Sequence, residues 1–474
     1  MSRFSIRSTV FALVVLAGCA SGEGLAVSIS SFSPSQGTPS GGTPVTIYGA
    51  NFLDGATVTF GRVPARVTFE STGSLSATAP AGLQGASVAV TVTNPNGASA
   101  TSDGEYTYTT SILPGDSGQP PSVSVIVVTG DNDFSELNNA CVIGTDRVWC
   151  WGDNSFGQLG DISETYSSVP IQVPTAMAED IAGSGEHICT IVSGSVHCWG
   201  YNGYGELGNG TTNSSSAPVQ AAGISGGATA VAAGQYHTCA VVYSSALCWG
   251  ANYAGQLGSY TRVNNESLVP LEVNGLRGVT GIAAGNSTTC AVADGGAWCW
   301  GNNGNGQLGN GTTESSSVTL PVSFSTQRSG VTTVSVGDYH ACAVVNGGAW
   351  CWGANNEGQL GNGTTTQSPL ATQVSGLGSG VTAIAAGHFH TCAVMDGRVW
   401  CWGDNTYGEL GNNVRNRSFV PVVVSGLTSG ITAIAAGGLT SCAIASDSVW
   451  CWGSGALGSA DVTDSSIPVL VSGL

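Results

Sequence analysis

Cysteine is the residue whose spacing most directly suggests chemistry in this chain of 474 residues. Fourteen of its 15 cysteines form seven pairs, and the two members of every pair are nine positions apart. A separation of nine centres each pair on a two-residue turn, such as Asn346-Gly347, whose residue types suit a type I′ hairpin. The paired cysteines then lie opposite each other on neighbouring strands, within reach of a disulfide. The predicted disulfides join Cys141 with Cys150, Cys189 with Cys198, Cys239 with Cys248, Cys290 with Cys299, Cys342 with Cys351, Cys392 with Cys401 and Cys442 with Cys451.

Histidine offers a rival chemistry, because it stands two positions before the first cysteine of four pairs, as His187, His237, His340 and His390. Such a set could hold zinc, but three pairs lack the histidine and structural zinc usually takes four ligands. We therefore favour disulfides and expect these histidines to tie strands together through backbone hydrogen bonds. The Gly/Asn-rich loops could hold calcium, but they have no regular carboxylate positions. No cofactor or metal is predicted.

The tripeptide Cys-Trp-Gly marks a long internal repeat. It begins at positions 150, 198, 248, 299, 351, 401 and 451, so seven units of about 50 residues follow one another. Each unit contains four short strand-like segments, and such repeats are typical of a β-propeller. All 12 tryptophans flank a cysteine, seven after it and five before it. Because neighbours on a strand point to opposite faces, we expect each blade's disulfide to pack near a tryptophan of the next blade.

The ends of the propeller region, residues 123–474, leave one question open. A strand is predicted near 123–128 and another at 467–471. Either the two strands join in one blade, or each repeat is a complete blade. We favour the shared blade, because it would lock the ring.

The chain before the propeller reads as three further segments. Residues 1–18 contain Arg3, Arg7 and a short apolar run, the pattern of an export signal. Residues 27–110 alternate in short segments between Gly, Pro and Asn turns, which predicts a β-sandwich. Residues 111–122, rich in Pro, Gly and Ser, read as a linker. The whole chain is therefore expected to be all-β.

Three resemblances add to these predictions. Leu16-Ala17-Gly18-Cys19 resembles a bacterial lipobox, which implies that Cys19 carries the lipid and becomes the mature N-terminus; Ala20 would favour the outer membrane. Ordinary cleavage near Ala20, giving a secreted protein, is the alternative. Gly41-Gly42-Thr43-Pro44, continued to Phe52, resembles the IPT/TIG immunoglobulin-like family, which implies a spacer or binding domain without a catalytic set.

The third resemblance concerns the repeats. Cys-Trp-Gly-x-Asn-x-x-Gly-Gln-Leu-Gly, at 351–361, and Ile-Ala-Ala-Gly-x-x-His-Thr-Cys-Ala-Val, at 384–394, are similar to the regulator of chromosome condensation repeat family of seven-bladed propellers. Nuclear members of that family exchange nucleotide on the GTPase Ran. An exported lipoprotein would not meet Ran, so this activity is not expected here.

Charge narrows the range of partners. The chain has 11 basic residues, all arginine, against 29 acidic ones. Loss of the leader with Arg3 and Arg7 would leave nine against 29, a net charge of −20. Nucleic acid and anionic membrane surfaces are therefore not expected as partners, because a protein that binds either of them needs clustered positive charge. A partner with a basic or neutral surface and a salt-sensitive association is expected.

Binding residues are sought where the repeats vary. Two positions before the repeated histidine change from blade to blade, in a loop predicted at one end of the propeller. The candidate partner-binding residues are Glu186, Gln235, Tyr236, Asp338, Tyr339, His388 and Phe389. Aromatic anchors with a polar rim suit a protein interface. A second variable row, which precedes the Gly-Gln/Glu-Leu-Gly turns, is the fallback site: Phe156, Tyr204, Asn305, Glu357 and Tyr407.

The sequence is compatible with three functions. No nucleophile with a base, phosphate-binding loop or carboxylate pair can be nominated, so no catalytic residue is predicted. The leading hypothesis is a non-enzymatic envelope lipoprotein that presents its propeller to a protein partner. The alternatives are an inhibitor of a secreted or periplasmic enzyme, as in propeller-type β-lactamase inhibitor proteins with similar repeats, and a polysaccharide-active enzyme or glycan-binding adhesin.

Overall fold

The computed structural model describes residues 26–33, 36–37, 41–82, 86–108, 123–130, 138–144, 147–161, 165–175, 177–259, 265–324 and 329–474. The chain divides into two compact units, Met1–Ser117 and Gly118–Leu474. The predicted leader, Cys19 and the predicted linker at 111–122 lie outside the described residues. Within the described ranges, no helix is long and apolar enough to cross a membrane.

The first unit is a sandwich-like arrangement of eight strands. They are β1 (Ser28–Ser33), β2 (Gln36–Gly37), β3 (Pro44–Ala50), β4 (Thr57–Phe60), β5 (Val63–Ser71), β6 (Ser74–Thr78), β7 (Ser87–Thr93) and β8 (Ser99–Tyr108). Their order is β1-β3-β6-β5-β4-β7-β8-β2, antiparallel except for β2 beside β8. Alternate side chains fill one core around Ile47, Phe60, Leu75 and Tyr106. The predicted immunoglobulin-like β-sandwich is confirmed.

The second unit consists of seven four-stranded antiparallel sheets, as predicted for a seven-bladed propeller. Blades 1 to 4 are β9 (Val125–Thr129), β10 (Asn139–Ile143), β11 (Val148–Asp153), β12 (Tyr166–Val173); β13 (Asp180–Gly183), β14 (His187–Val192), β15 (Ser195–Gly200), β16 (Ser215–Gln220); β17 (Ala228–Ala233), β18 (His237–Val242), β19 (Ser245–Ala251), β20 (Glu266–Glu272); β21 (Val279–Ala284), β22 (Thr288–Ala293), β23 (Gly296–Gly301), β24 (Ser316–Pro321). Blades 5 to 7 are β25 (Val331–Val336), β26 (His340–Val345), β27 (Gly348–Gly353), β28 (Ser368–Gln373); β29 (Val381–Ala386), β30 (His390–Met395), β31 (Arg398–Gly403), β32 (Ser418–Val423); β33 (Ile431–Gly437), β34 (Thr440–Ala445), β35 (Ser448–Ser454), β36 (Asp464–Leu470).

Each repeat forms a complete blade, so the shared blade that we favoured from the sequence is wrong. The first strand of every blade lies innermost, and β9 contacts the innermost strands on both sides, β13 and β33. Strand β36 pairs with β35 at the rim of blade 7, while β9 pairs with β10. The chain enters at the centre of blade 1 and leaves at the rim of blade 7. The ring therefore closes by packing between blades and not by strand exchange.

The cysteine pairs form the seven predicted disulfides, and all fourteen of these cysteines are fully buried. The two cysteines of each pair face each other across the hairpin formed by the second and third strands of the blade. Their Cα atoms are 4.0–4.1 Å apart. Both turn residues of blade 5 have positive φ, 50° at Asn346 and 77° at Gly347, as a type I′ turn requires. From blade 1 to blade 7 the bonds join Cys141 with Cys150, Cys189 with Cys198, Cys239 with Cys248, Cys290 with Cys299, Cys342 with Cys351, Cys392 with Cys401 and Cys442 with Cys451.

The tryptophan after each cysteine pair joins neighbouring blades, as predicted. Trp300 of blade 4 is buried in one cluster with Cys239 and Cys248 of blade 3, and the other six blades repeat this arrangement. Its indole N–H donates to the carbonyl of Gln256 in the preceding blade, at 2.8 Å. The five tryptophans that precede a cysteine are only half-buried.

The glycine of Cys-Trp-Gly has a specific backbone role. Its φ lies between 97° and 112° in all seven blades, a region that favours glycine. A Cβ at Gly353 would lie 2.7 Å from the carbonyl oxygen of Tyr339, so a side chain there would clash with the loop between the first two strands. This glycine lets that loop pack against the end of the third strand.

Candidate functional site

The connections after the first and third strands of each blade lie at one end of the propeller, because these two strands run in the same direction in an antiparallel sheet. We call this end the loop face. It carries both variable rows that the sequence singled out. We call the connection between the first and second strands of a blade the 1–2 loop, and that between the third and fourth strands the 3–4 loop. The 1–2 loop of blade 2 is held to the end of the third strand, since the Tyr201 N–H donates to the Glu186 carbonyl at 2.9 Å. The two rows are therefore parts of one surface.

Buried asparagines shape the 3–4 loops. The Asn405 side-chain oxygen accepts from the Leu410 N–H at 2.9 Å, and its amide donates to the carbonyls of Val414 and Asn416. Asn355 makes the equivalent bonds in blade 5. These bonds hold the 3–4 loops in a fixed conformation, and they determine where the residues between each asparagine and the Gly-Gln/Glu-Leu-Gly turn lie on the surface.

The repeated histidines support the 1–2 loops in a way that the sequence did not predict. The Nε2 atom of His340 lies 2.8 Å from the Thr391 hydroxyl in the next blade, and that of His390 lies 2.9 Å from the Ser441 hydroxyl. His187 and His237 contact Thr238 and Thr289 in the same manner. The expected backbone bonds are thus replaced by side-chain bonds between blades, because a hydroxyl residue precedes the cysteine of the following blade.

Complete burial keeps these histidines neutral. It lowers the pKa of His187, His237 and His340 to about 3 and that of His390 to about 4. At physiological pH these neutral histidines therefore act as fixed hydrogen-bonding groups between blades. Within the described part of the chain, no three His, Cys, Asp or Glu side chains converge in a way that could hold a metal ion.

Five aromatic rings form a continuous row across blades 1 to 3, which we call the aromatic band: Phe156, Tyr201, Tyr204, Tyr236 and Tyr253. The rings of Phe156 and Tyr201 are 5.0 Å apart between centroids, and those of Tyr201 and Tyr204 are 6.4 Å apart. Tyr204 then meets Tyr236 at 5.3 Å and Tyr253 at 5.5 Å. Phe156 is 40% exposed and Tyr253 is 55% exposed. The band therefore offers aromatic surface to a binding partner.

Carboxyl groups lie beneath and beside the aromatic band. Glu206 is fully buried, and its Oε2 accepts from the Tyr204 N–H at 2.9 Å. Burial, followed by the neighbouring carboxyls of Glu186 and Glu266, raises the pKa of Glu206 to about 8 against its two backbone hydrogen bonds. Burial, followed by Glu206, Tyr204 and Glu186, also raises the pKa of Tyr201. This half of the loop face is thus both aromatic and acidic.

A second group, which we call the stacked cluster, joins blades 5 and 6 through Asp338, Tyr339, His388 and Phe389. The rings of Tyr339 and Phe389 stack at 5.5 Å with an interplanar angle of 12°. The Nδ1 atom of His388 lies 2.7 Å from the Asp338 carboxylate, and the His388 side chain is only 4% exposed. Burial, and then Asp338, raises the pKa of Tyr339. The side chains of the stacked cluster therefore contact mainly one another.

The structure therefore divides the seven predicted residues into two groups. Glu186, Gln235 and Tyr236 belong to the neighbourhood of the aromatic band, where the Gln235 amide donates to the Tyr236 hydroxyl at 3.1 Å. The other four form the stacked cluster.

The fallback row is divided as well. Phe156 and Tyr204 belong to the aromatic band, while Glu357 pairs with Arg417 at 2.7 Å. Asn305 and Tyr407 direct their backbone N–H groups to the side chains of Gln307 and Glu409.

Two members of the aromatic band were missed from the sequence. Tyr201 follows Cys-Trp-Gly directly, and Tyr253 is three positions beyond its own Cys-Trp-Gly glycine. The signal available was the variation at these positions: the residue after the tripeptide is Asp, Tyr, Ala, Asn, Ala, Asp or Ser in the seven blades. Comparing all variable loop positions at once would have shown that the tyrosines gather in blades 2 and 3.

Comparison with known families identifies both units. The regulator of chromosome condensation (RCC1) repeat matches residues 145–191, 193–241, 245–292, 294–344, 346–394 and 396–444, more than half of the chain. The chain belongs to the RCC1 repeat family. A second RCC1 repeat description matches 279–307, 331–359 and 381–409, and the IPT/TIG domain matches residues 27–108.

The RCC1 repeat begins at a different strand from the structural blade, and this difference explains why the prediction of a shared blade is wrong. Each matched RCC1 repeat begins at the third strand of one blade, or one to three residues before it, and ends in the second strand of the next blade. In that frame a seventh repeat would be divided between the two ends of the propeller. The physical blade has a different frame, and it is complete at both ends.

Solved structures share the propeller fold. Human WBSCR16 matches with a TM-score of 0.62 at 21% identity, over 69% of this chain and 94% of that one. Yeast RCC1 (Prp20) in a complex with Kap60 matches with a TM-score of 0.60 at 20% identity, over 69% and 84% of the two chains. Prp20p from Saccharomyces cerevisiae, in a study that includes its binding to Gsp1p and histones, gives 0.57 at 20%, over 67% and 80%. At these identities the likeness concerns the fold.

Proposed function

We propose that this protein is a non-enzymatic, lipid-anchored protein of the bacterial envelope whose propeller presents its loop face to a protein partner. The observation that carries the proposal is the aromatic band: five adjoining rings on variable loops, two of them with 40% and 55% of their surface exposed. Aromatic side chains are the residues that most often anchor protein interfaces. The rigid, disulfide-bonded blades beneath the loops keep such a surface preorganised, which reduces the entropic cost of binding.

The related propellers give general support. Yeast RCC1 has been seen bound to Kap60, and Prp20p was studied for its binding to Gsp1p and histones. We do not expect those partners here, because an exported protein with an excess of acidic residues meets different molecules. What we carry over is the use of an RCC1-type propeller as a protein-binding module.

Capture of partners with the oxidised full chain tests the binding role. The parent is compared with three variants: Tyr204→Ala/Tyr236→Ala in the aromatic band, Tyr339→Ala/Phe389→Ala in the stacked cluster, and Tyr243→Ala. Tyr243 is 78% exposed on a hairpin at the opposite end of the propeller, so it is the matched control. A protein captured by the parent and the control, and lost with a loop-face variant, supports the proposal once purified components reproduce the binding. Capture of the same protein by the parent and by all three variants contradicts the proposal.

The lipid anchor needs its own test. Cells grown with a clickable fatty-acid analogue should label the parent protein and leave a Cys19→Ser variant unlabelled. The variant should also move from the membrane fraction to the soluble fraction. Labelling of the Cys19→Ser variant would contradict attachment at this residue, and a soluble, unlabelled parent would favour secretion.

A further inference from the structure

The two aromatic groups of the loop face differ in what their rings and charges contact. In the stacked cluster Tyr339 and Phe389 cover each other, and the Asp338 carboxylate meets His388. The rings of the aromatic band instead meet at 66° to 90°, edge to face, so they do not cover one another by parallel stacking. Phe156 and Tyr253 of the band are exposed, whereas Tyr339 and Phe389 are both partly buried, so the band is the half of the loop face with the more exposed aromatic surface.

The carboxyl groups of the aromatic band point to the charge of that ligand. The Oε2 atom of Glu206 accepts from Tyr204 N–H, but its Oε1 is buried without a hydrogen-bond partner among the described residues. A buried oxygen in this position is costly unless a donor reaches it. Glu186 and Glu266 are close enough to oppose ionisation of Glu206. A cation that binds beside the partly exposed Glu186 and Glu266 would relieve that repulsion and could donate to their carboxylates, while the buried Glu206 would be affected only through the charge.

We propose that the aromatic band, together with the partly exposed carboxylates of Glu186 and Glu266 beside it, binds arginine or lysine side chains of a protein partner. The negative faces of aromatic rings attract cations, and carboxyl groups accept charge-assisted hydrogen bonds from guanidinium and ammonium groups. The chain's own net charge of −18 draws a basic segment toward the surface. The inference rests on the proposed protein-binding function and specifies the chemistry of the partner.

Acetylated octa-arginine amide is a suitable probe, and octa-citrulline amide is its uncharged counterpart. Binding to the oxidised full chain is measured by fluorescence anisotropy at one fixed ionic strength. A Tyr204→Leu/Tyr236→Leu/Tyr253→Leu variant keeps apolar side chains but removes the ring faces. A Tyr339→Leu/Phe389→Leu variant is the control on the same face. Neither variant changes the net charge, so general attraction of a polycation to an acidic protein is held constant.

We expect the parent to bind octa-arginine and to discriminate against octa-citrulline. Loss of three rings should weaken octa-arginine binding by about tenfold or more, because it removes three cation–π contacts. The stacked-cluster variant should stay within about threefold of the parent. A Glu186→Gln/Glu266→Gln variant should lose more affinity than Glu314→Gln/Glu357→Gln, which removes two carboxylates from loops of blades 4 and 5. Thermal unfolding of every variant confirms that it is folded.

Three results would overturn the inference: equal binding of the two peptides, equal loss in both aromatic variants, or equal loss in both carboxyl variants. The capture experiment separates this failure from failure of the proposed function. A partner lost only with loop-face variants, combined with no preference for octa-arginine, leaves the protein-binding function intact and removes the cation site. Octa-arginine binding at the aromatic band without any captured protein supports the cation site and contradicts the wider function.

Discussion

Trp151 donates a hydrogen bond of 2.9 Å from its indole nitrogen to the carbonyl oxygen of Ala456, 305 positions along the chain. This bond joins blade 1 to blade 7, and it repeats the contact that each preceding blade makes with the next tryptophan. The Asn138 amide adds bonds to the Thr440 hydroxyl and the Ser454 carbonyl, both at 3.1 Å. The closing interface thus has the same design as the internal ones, supplemented by a polar side chain.

Substitution of the closing tryptophan should show that this interface contributes at least as much to stability as an internal one. Trp151→Phe leaves the Ala456 carbonyl without its donor, which costs about 1 to 3 kcal/mol beyond the loss of packing. Trp300→Phe should cost less, because the Gln256 carbonyl still accepts from the Thr289 hydroxyl at 2.9 Å. Denaturant unfolding of both variants measures the difference. A cost for Trp151→Phe below that of Trp300→Phe would mean that the ring closes loosely.

The sequence predicts the parts of this fold that repeat. Cysteines nine positions apart imply a hairpin, and the alternation of Cys and Trp along one strand implies a disulfide on one side of the sheet and a tryptophan on the other. These rules are local, so they could be applied without knowing the arrangement of the blades. The disulfides and the Trp300 contact with blade 3 follow from them.

Contacts between loops of different blades could not be predicted in this way. Tyr204 and Tyr236 belong to different rows in the sequence, and their rings meet only because a 3–4 loop of one blade lies beside the 1–2 loop of the next. The same holds for His340 and the Thr391 hydroxyl. Such pairs depend on how neighbouring blades are placed around the axis, which the repeat period does not specify.

Burial of the disulfides should protect them from reductants. All fourteen cysteines of the pairs have no exposed surface, and thiol–disulfide exchange requires that a thiolate reach the sulfur. We expect the native chain to release almost no thiol in the presence of a water-soluble reductant, and the denatured chain to release fourteen from these pairs. Thiol titration with mass analysis measures this. Rapid release of two thiols from the native chain would identify a blade that opens by local unfolding.

The buried histidines should make the propeller sensitive to acid. Burial, and to a lesser degree His390 and His388, lowers the pKa of His340 from 6.5 to about 3. The unfolded chain then binds a proton below pH 6.5 that the folded chain rejects, so stability is lost as the pH falls from 6.5 toward 3. Between pH 7 and pH 4.5 one such histidine costs about 2 to 3 kcal/mol.

A His340→Thr variant isolates this effect. Threonine is the residue that blades 4 and 7 have at the same position, as Thr288 and Thr440. The variant should lose less stability than the parent between pH 7 and pH 4.5, measured by urea unfolding at both values. Comparing each protein with itself removes the cost of the lost bond to Thr391, which is present at both pH values. An unchanged pH dependence would show that His340 can accept a proton in the folded state.

Glu206 should have the opposite effect, on the alkaline side. Four blades have glutamine at this position, as Gln158, Gln256, Gln307 and Gln359, and each accepts a backbone N–H as Glu206 does. Burial raises the pKa of Glu206 from 4.5 to about 8, so the folded chain keeps a proton that the unfolded chain releases. Stability is therefore present below pH 4.5 and is lost as the pH rises through 8.

Glu206→Gln should remove this loss of stability with rising pH. We expect the variant to be more stable than the parent at pH 9 by about 2 to 5 kcal/mol and to differ little from it at pH 4.5, where the folded carboxyl is protonated and the unfolded one is still half protonated. Glu409→Gln in blade 6 should gain less, because burial raises the pKa of Glu409 only to about 7 and Arg415 opposes the rise. Unfolding at the two pH values tests both variants. The same stability change for Glu206→Gln at pH 4.5 and pH 9 would show that the pKa of Glu206 is the same in the folded and the unfolded chain.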